Sequence, residues 1–388
     1  MERFVDLVMS DEKLASRLAG IADDHAFAAE ITACGIATPG ELMSARGRPD
    51  GLGSAPWSPP VFVGSDLPPR HWLPVTVAAT PEGIVVDWAW LGPEPLRAAS
   101  YEDEIRRALA LPFNRVFRYR TDLGDLIRQC PEPDGLEPDG FIFHMSRCGS
   151  TLVAQMLAAL PDCIVVSEAP PVDAVLQLHR ARDPGLAARA LRAMMAALGR
   201  KRSGRELHYF VKLDAWHTLS LPLFRRAFPN VPWAFLYRDP VEVMVSQMRR
   251  RGIHMVPEYF PPDFYGIGDA DCRPDEDYYA RVLAAICQAA IGHHGLGGGL
   301  LLDYRDLPET VFTALAPHFG LSCDETERET MRGLARLDAK SPTMPFTADA
   351  AAKRRAATEK VRRAAERHLA PIYRRLEQSR MGHAGGEI

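Results

Sequence analysis

Between residues 141 and 304 five apolar runs of strand length recur, FIFHM, CIVVSE, HYFVKL, WAFLY and GLLLDY, with helical patterns between them. A strand covered by helices on both faces has no polar side to present, so it reads as a continuous apolar run and not as an alternation. Such runs separated by helices predict an α/β fold, a parallel sheet with covering helices. With 388 residues, 47% of them hydrophobic, the chain can bury one main core of about 250 residues and a smaller part.

The main domain is expected over 139–380. Ahead of it, Phe4, Leu7, Val8, Leu14, Leu18, Ile21, Phe27 and Ile31 fall at helical spacing, with Gly35 and Pro39 as breakers, which predicts a small helical unit over 1–48. The Gly/Pro/Ser-rich run RGRPDGLGSAPWSPP, 46–60, reads as a linker. A small β-containing region is expected over 61–130: HWLPVTVAATPEGIVVDWAWLG alternates around a Pro-Glu-Gly turn as a hairpin would, and a helix follows over 101–111. A second break, PEPDGLEPDG, spans 131–140.

The formal net charge of -4 gives no electrostatic reason to expect nucleic acid as a partner. Seven cysteines without a CxxC pair suit neither a disulfide framework nor a zinc site, and are read as reduced thiols. The first residues, MERFVDLVMSDEKL, are acidic and amphipathic, and no uncharged apolar stretch has the length of a membrane span. The expectation is a cytoplasmic protein with no membrane partner.

The first strand run leads into 146-SRCGST-151 and then an amphipathic helix. A helix N-terminus offers unpaired N–H groups and the positive end of a dipole, so a small-residue turn there suits a phosphate. A triphosphate-binding turn would read GxxxxGK[ST], and no lysine follows Gly149. The donors left are the amides of Cys148, Gly149, Ser150, Thr151 and Leu152, the hydroxyls of Ser150 and Thr151, and the Arg147 guanidinium. They suit one phosphate bearing a further anionic group; a plain turn with Ser/Thr capping is the bland alternative. A second strand ends in 238-RDP-240, and Ser246 stands eight positions beyond Arg238 on the helix that follows. Ligands of open α/β sheets bind at the carboxyl ends of strands, so both motifs point to one side.

These segments resemble the sulfotransferase family, whose donor is 3′-phosphoadenosine 5′-phosphosulfate (PAPS). SRCGSTL is similar to its 5′-phosphosulfate loop, often P-[KR]-S-G-T-T-L, with Ser146 in place of proline and Cys148 in place of serine. Arg238 and Ser246 resemble its 3′-phosphate motif. The segment 301-LLDYRDLPETVFTALAPHFGL-321 and the closing helix 363-RAAERHLAPIYRRLE-377 also resemble the family, so that the likeness runs from 139 to about 377. The N-terminal helices resemble the helical leader-type domains of nitrogen-fixation proteins and peptide precursors.

Sulfuryl transfer to a hydroxyl or amine needs a base for the acceptor proton and positive charge on the departing oxygen; no metal is expected. Glu168 lies just beyond an apolar strand, where a carboxylate is partly desolvated, and it follows Arg147 by 21 residues as the base does in the protein-tyrosine branch of the family. It is the first choice as base. Lys212 resembles the lysine that contacts the transferring group. Asp214 stands where many relatives carry a histidine base and is held in reserve, with His217 as an outside candidate. The family closes its 3′-phosphate pocket with an Arg-Lys-Gly segment that is missing here; Lys353, Arg354 or Arg355 would substitute, against the commoner reading of a solvated helix face. Aromatics in 256-VPEYFPPDFYG-266 suit an acceptor side or a surface loop equally. The implied enzyme is a PAPS-dependent sulfotransferase acting on a small-molecule or peptide acceptor. The alternatives are a kinase-like P-loop enzyme and a noncatalytic nucleotide-binding protein.

Overall fold

The computed structural model describes residues 2–35, 61–130, 135–179, 183–261, 263–268 and 273–384. The expected linker over 46–60 lies outside them, as do 36–48 of the expected helical unit and 131–134 of the second break. By compactness the chain divides into one unit of residues 1–138 with 161–209 and another of 139–160 with 210–388.

The first unit opens with α1 (Glu2–Ser10), α2 (Glu12–Ala19) and α3 (Asp24–Ala33). Asp11 and Asp23 cap α2 and α3 by accepting from the amides of Leu14 and Ala26, each cap contributing about 1 kcal/mol. Of the positions at helical spacing, Val8, Leu14, Leu18, Phe27 and Ile31 are buried, Ile21 is half-buried and Leu7 is exposed. A small sheet follows, of β1 (Phe62–Val63), β2 (Trp72–Thr80), β3 (Gly83–Trp90) and β4 (Tyr119–Asp122), in the order β1-β4-β3-β2. The expected hairpin is β2–β3, antiparallel from Trp72 opposite Trp90 to Thr80 opposite Gly83.

The helix read over 101–111 is α4 (Tyr101–Ala110). Just beyond it, the buried Asn114 side chain accepts from Trp90 N–H at 2.8 Å and donates to the carbonyls of Trp90 and Ala108, both at 2.9 Å. Two arginines finish this unit's core. Arg200 Nη1 donates to the Trp72 carbonyl at 2.8 Å and its guanidinium lies 4.7 Å from the Trp88 ring centroid. Arg202 Nη1 donates to the Gly92 carbonyl at 2.7 Å. Buried charge is tolerated where its donors are met, and here backbone carbonyls meet them.

The five apolar runs form β5 (Gly140–His144), β6 (Cys163–Ser167), β7 (His208–Lys212), β8 (Trp233–Tyr237) and β9 (Gly299–Asp303), in one sheet ordered β6-β7-β5-β8-β9. The pairs β5–β7, β5–β8 and β8–β9 are parallel. Every residue of β5 and β8 is buried, which is why these runs carry no polar alternation. The second unit's core joins Phe141 and Phe143 to Phe224, with centroids at 5.1 and 5.3 Å, and Phe143 to Trp233 at 6.0 Å. After β5 the chain turns toward the β7 side, and after β8 toward β9 on the other side. Neighbouring strands whose connections diverge leave a crevice at their carboxyl ends, and that crevice is where open α/β sheets hold ligands.

Candidate active site

The loop after β5 is set by His144. Its Nδ1 accepts from Ser146 N–H at 3.0 Å and its Nε2–H donates to the Leu213 carbonyl at 2.9 Å, so one ring fixes both the loop and the end of β7. Ser146 and Arg147 then take φ values of 75° and 55°. Side chains in that left-handed region cost about 1–3 kcal/mol each and persist where the surroundings impose them. Among the described residues four non-glycine positions have positive φ, and all four, Ser146, Arg147, Glu168 and Glu258, belong to segments singled out in the sequence. Gly149, at φ 88°, could not carry a side chain: a Cβ would stand 2.8 Å from both Tyr304 and Leu307.

Helix α5 (Ser150–Ala158) begins there without a side-chain cap, so a Ser/Thr-capped turn is not what forms. Its first intrahelical bond runs from Val153 N–H to the Gly149 carbonyl at 3.2 Å, and the amides ahead of it have no intrahelical acceptor at the positive end of the dipole. Cys148, where the family often has serine, is fully buried and donates to the Leu236 carbonyl at 3.2 Å. Burial pushes its thiol up to about 12. Ser146 is buried too, accepting from Gln247 Nε2 at 3.0 Å.

The second motif meets the first directly. Helix α6 (Pro240–Arg249) follows β8 and is capped by Asp239, with Pro240 in its first turn as read. From α6, Ser246 Oγ accepts from Arg147 Nε at 2.9 Å, and the terminal nitrogens of Arg147 have no protein partner among the described residues. Burial, then the neighbouring Arg250, hold the Arg147 pKa below the ordinary arginine value. An added anion would relieve both penalties.

Arg238, at the carboxyl end of β8, is buried over the Tyr304 ring at 3.8 Å from its centroid. Its Nε donates to Glu242 Oε2 at 2.7 Å and its Nη2 to Asp349 Oδ1 at 3.0 Å. Burial works against the Arg238 charge, but Glu242, Tyr304 and Asp349 outweigh it and raise its pKa. Asp349 precedes helix α7 (Ala350–Ala356), whose basic residues divide. Lys353 Nζ pairs with Asp349 Oδ2 at 2.8 Å, Arg354 Nη2 pairs with Glu242 Oε1 at 2.9 Å, and Arg355 is exposed. Lys353 is buried, so the solvated-face reading fails for it and holds for Arg355. Tyr304, Glu242 and Asp349 were given no role in the sequence; Glu242 closes an i, i+4 pair with Arg238 and Asp349 opens one with Lys353, a signal that was available.

Lys212 is the last residue of β7, buried and opposite Ile142 of β5. Its charge and that of Arg238 both act on the Cys148 thiol, so both cations lie near the loop. Asp214 and His217 form a capping box on the turn Ala215–Ser220, each side chain accepting from the other's backbone amide. That gives both a structural task. Glu168 follows β6 directly, half-buried, at φ 53°. Of the aromatic segment, Phe260 and Phe264 stack at 4.2 Å and Phe260 lies 5.5 Å from Trp216. Pro262 is outside the described residues.

Residues 138–325 match the model of the sulfotransferase family. This part of the chain belongs to that family. Among solved structures, a sulfotransferase domain from the curacin biosynthetic pathway is similar at 14% identity, over 60% of this chain and 98% of its own, with a TM-score of 0.36. A sulfotransferase from Alicyclobacillus acidocaldarius is similar at 14% identity, over 63% and 96%, with a TM-score of 0.35. A mouse sulfotransferase complexed with PAP is similar at 12% identity, over 67% and 94%, with a TM-score of 0.36. No curated protein sequence matches the chain. Among the described residues no group of three or more His, Cys, Asp or Glu is gathered for a metal ion, and no helix is long and apolar enough to cross a membrane.

Proposed function

We propose that the protein is a PAPS-dependent sulfotransferase that moves a sulfuryl group to a hydroxyl or amine of a small-molecule or peptide acceptor. Arg147 and the amides of residues 148–152, with Ser150 and Thr151, would hold the 5′-phosphosulfate. Arg238 and Ser246 would hold the 3′-phosphate, with Lys353 and Arg354 closing the pocket. Glu168 takes the proton of the attacking group, and Lys212 offsets negative charge on the bridging oxygen as the sulfur–oxygen bond breaks. PAPS supplies the activated sulfuryl group, and 3′,5′-adenosine bisphosphate is the product left behind. Positioned general bases contribute about 10²–10⁴-fold to such steps.

The observation that supports this reading is the 2.9 Å bond from Arg147 to Ser246. It joins two motifs of different strands, and Asp349 acts on the charges of both Arg147 and Arg238. Two independent anion-binding signals in one cluster are what a doubly phosphorylated nucleotide needs. The test is titration calorimetry with 3′,5′-adenosine bisphosphate, followed by transfer assays with PAPS. Binding lost in Arg238→Ala, and turnover lowered about 10²–10⁴-fold in Glu168→Gln at unchanged nucleotide affinity, are expected. A wild-type protein that takes up no bisphosphate would reject the reading; a Glu168→Gln enzyme with full turnover would move the base elsewhere.

A further inference from the structure

Arg238 is neutralised by two carboxylates of different character. Glu242 is 3% exposed, lies in the first turn of α6 just beyond Arg238 and is gripped a second time by Arg354 at 2.9 Å. Asp349 comes from 111 residues away, and its side chain is 43% exposed. Its two oxygens serve two cations, Oδ1 taking Arg238 Nη2 at 3.0 Å and Oδ2 taking Lys353 Nζ at 2.8 Å. Although Asp349 stands at the start of α7, its side chain caps no amide of that helix. The helix does not need the carboxylate. One anion spanning a buried arginine and a buried lysine, with its back to solvent, has the partners and the outlook that a phosphate takes in such a site.

We infer that Asp349 holds the place of the 3′-phosphate in the ligand-free protein and is displaced by it. This rests on the reading of the preceding subsection. Lys353, 8% exposed, would otherwise keep a desolvated and unpaired charge between turnovers. The half-exposed carboxylate swings into water as the phosphate arrives and returns as it leaves. Asp349 thus lowers the affinity for the product nucleotide and speeds its departure.

The experiment is calorimetry of the full chain, as wild type, Asp349→Asn and Asp349→Ala, with 3′,5′-adenosine bisphosphate, adenosine 5′-monophosphate and inorganic phosphate. Both variants are expected to bind the bisphosphate about tenfold more tightly, the scale of two partly exposed ion pairs. Its dissociation, followed by stopped flow, slows in proportion, while the monophosphate, lacking the displacing group, binds as before. Asn keeps the shape of Asp, so a folding defect confined to Asp349→Ala leaves the test standing. If wild type binds the bisphosphate and Asp349→Asn binds it equally or more weakly, the inference is overturned and the donor reading survives. If inorganic phosphate gains affinity in the variants but the bisphosphate does not, the pocket is not the nucleotide's and the inference again fails. No bisphosphate binding by any form overturns both.

Discussion

Arg200 in the first unit and Arg238 in the second are 3% and 4% exposed, and each lies against an aromatic ring. Their partners differ. Arg200 donates to backbone carbonyls of Pro69 and Trp72, dipoles fixed in place by the chain. Arg238 donates to carboxylates, one of which, Asp349, sits on a half-exposed side chain that can rotate away. A buried arginine tied to carbonyls is part of the framework, whereas one neutralised by a movable acid is ready to exchange that acid for a ligand. Burial and charge alone do not separate the two cases.

The largest expected effect comes from Arg238→Met. It leaves Glu242 buried with Arg354 as its remaining cation, at a cost of about 3 kcal/mol in denaturant-induced unfolding, and lowers affinity for 3′,5′-adenosine bisphosphate by about a hundredfold or more. A third buried cation, Lys212, sharpens the contrast: Lys212→Met should cost about a hundredfold in turnover, read in single-turnover kinetics, with nucleotide affinity little changed. Arg200→Met should destabilise the fold by about 1–3 kcal/mol through its orphaned carbonyls while calorimetry finds wild-type nucleotide binding. If the folded Arg200 variant binds no nucleotide, the distinction between the two arginines collapses. Ser246→Ala removes the acceptor of Arg147 Nε and should weaken nucleotide binding about fivefold.

The smallest effect is one of pH. Burial opposes the Asp349 charge, but Lys353 and Arg238 outweigh it and hold its pKa below the ordinary aspartate value. A depressed folded pKa means that its ion pairs contribute above about pH 4 and are lost as pH falls through the lower folded value. Melting temperatures of wild type and Asp349→Asn should therefore differ at neutral pH and converge in acid; a constant gap would show that the ion pairs of the carboxylate do not contribute to stability.

The strands were legible because burial on both faces writes itself as an unbroken apolar run, and the loop was legible because helix N-termini announce themselves locally. The hairpin β2–β3 declared itself through its turn. Its neighbour β4 did not, because Tyr119–Asp122 is short and polar, and its Arg120 is held by the buried Asp87 at 2.6 Å, a contact no local pattern encodes. His144 was hidden inside the run FIFHM, where its double hydrogen bond has no sequence signature. Asp349 escaped for a different reason: its partner Arg238 is 111 residues distant, and only the i, i+4 spacing to Lys353 hinted at a paired acid. Glu168 was singled out from its position after a strand, but its left-handed backbone was not foreseen, since the residue type there is not glycine.

Cys148 has a practical consequence. A thiol sealed inside the loop and held as the neutral acid up to about 12 is a poor nucleophile toward alkylating reagents. Cys34, Cys130 and Cys323 are partly exposed, so brief maleimide treatment should attach dyes to them and spare the turn after β5, giving fluorescent protein in which that loop is unmodified.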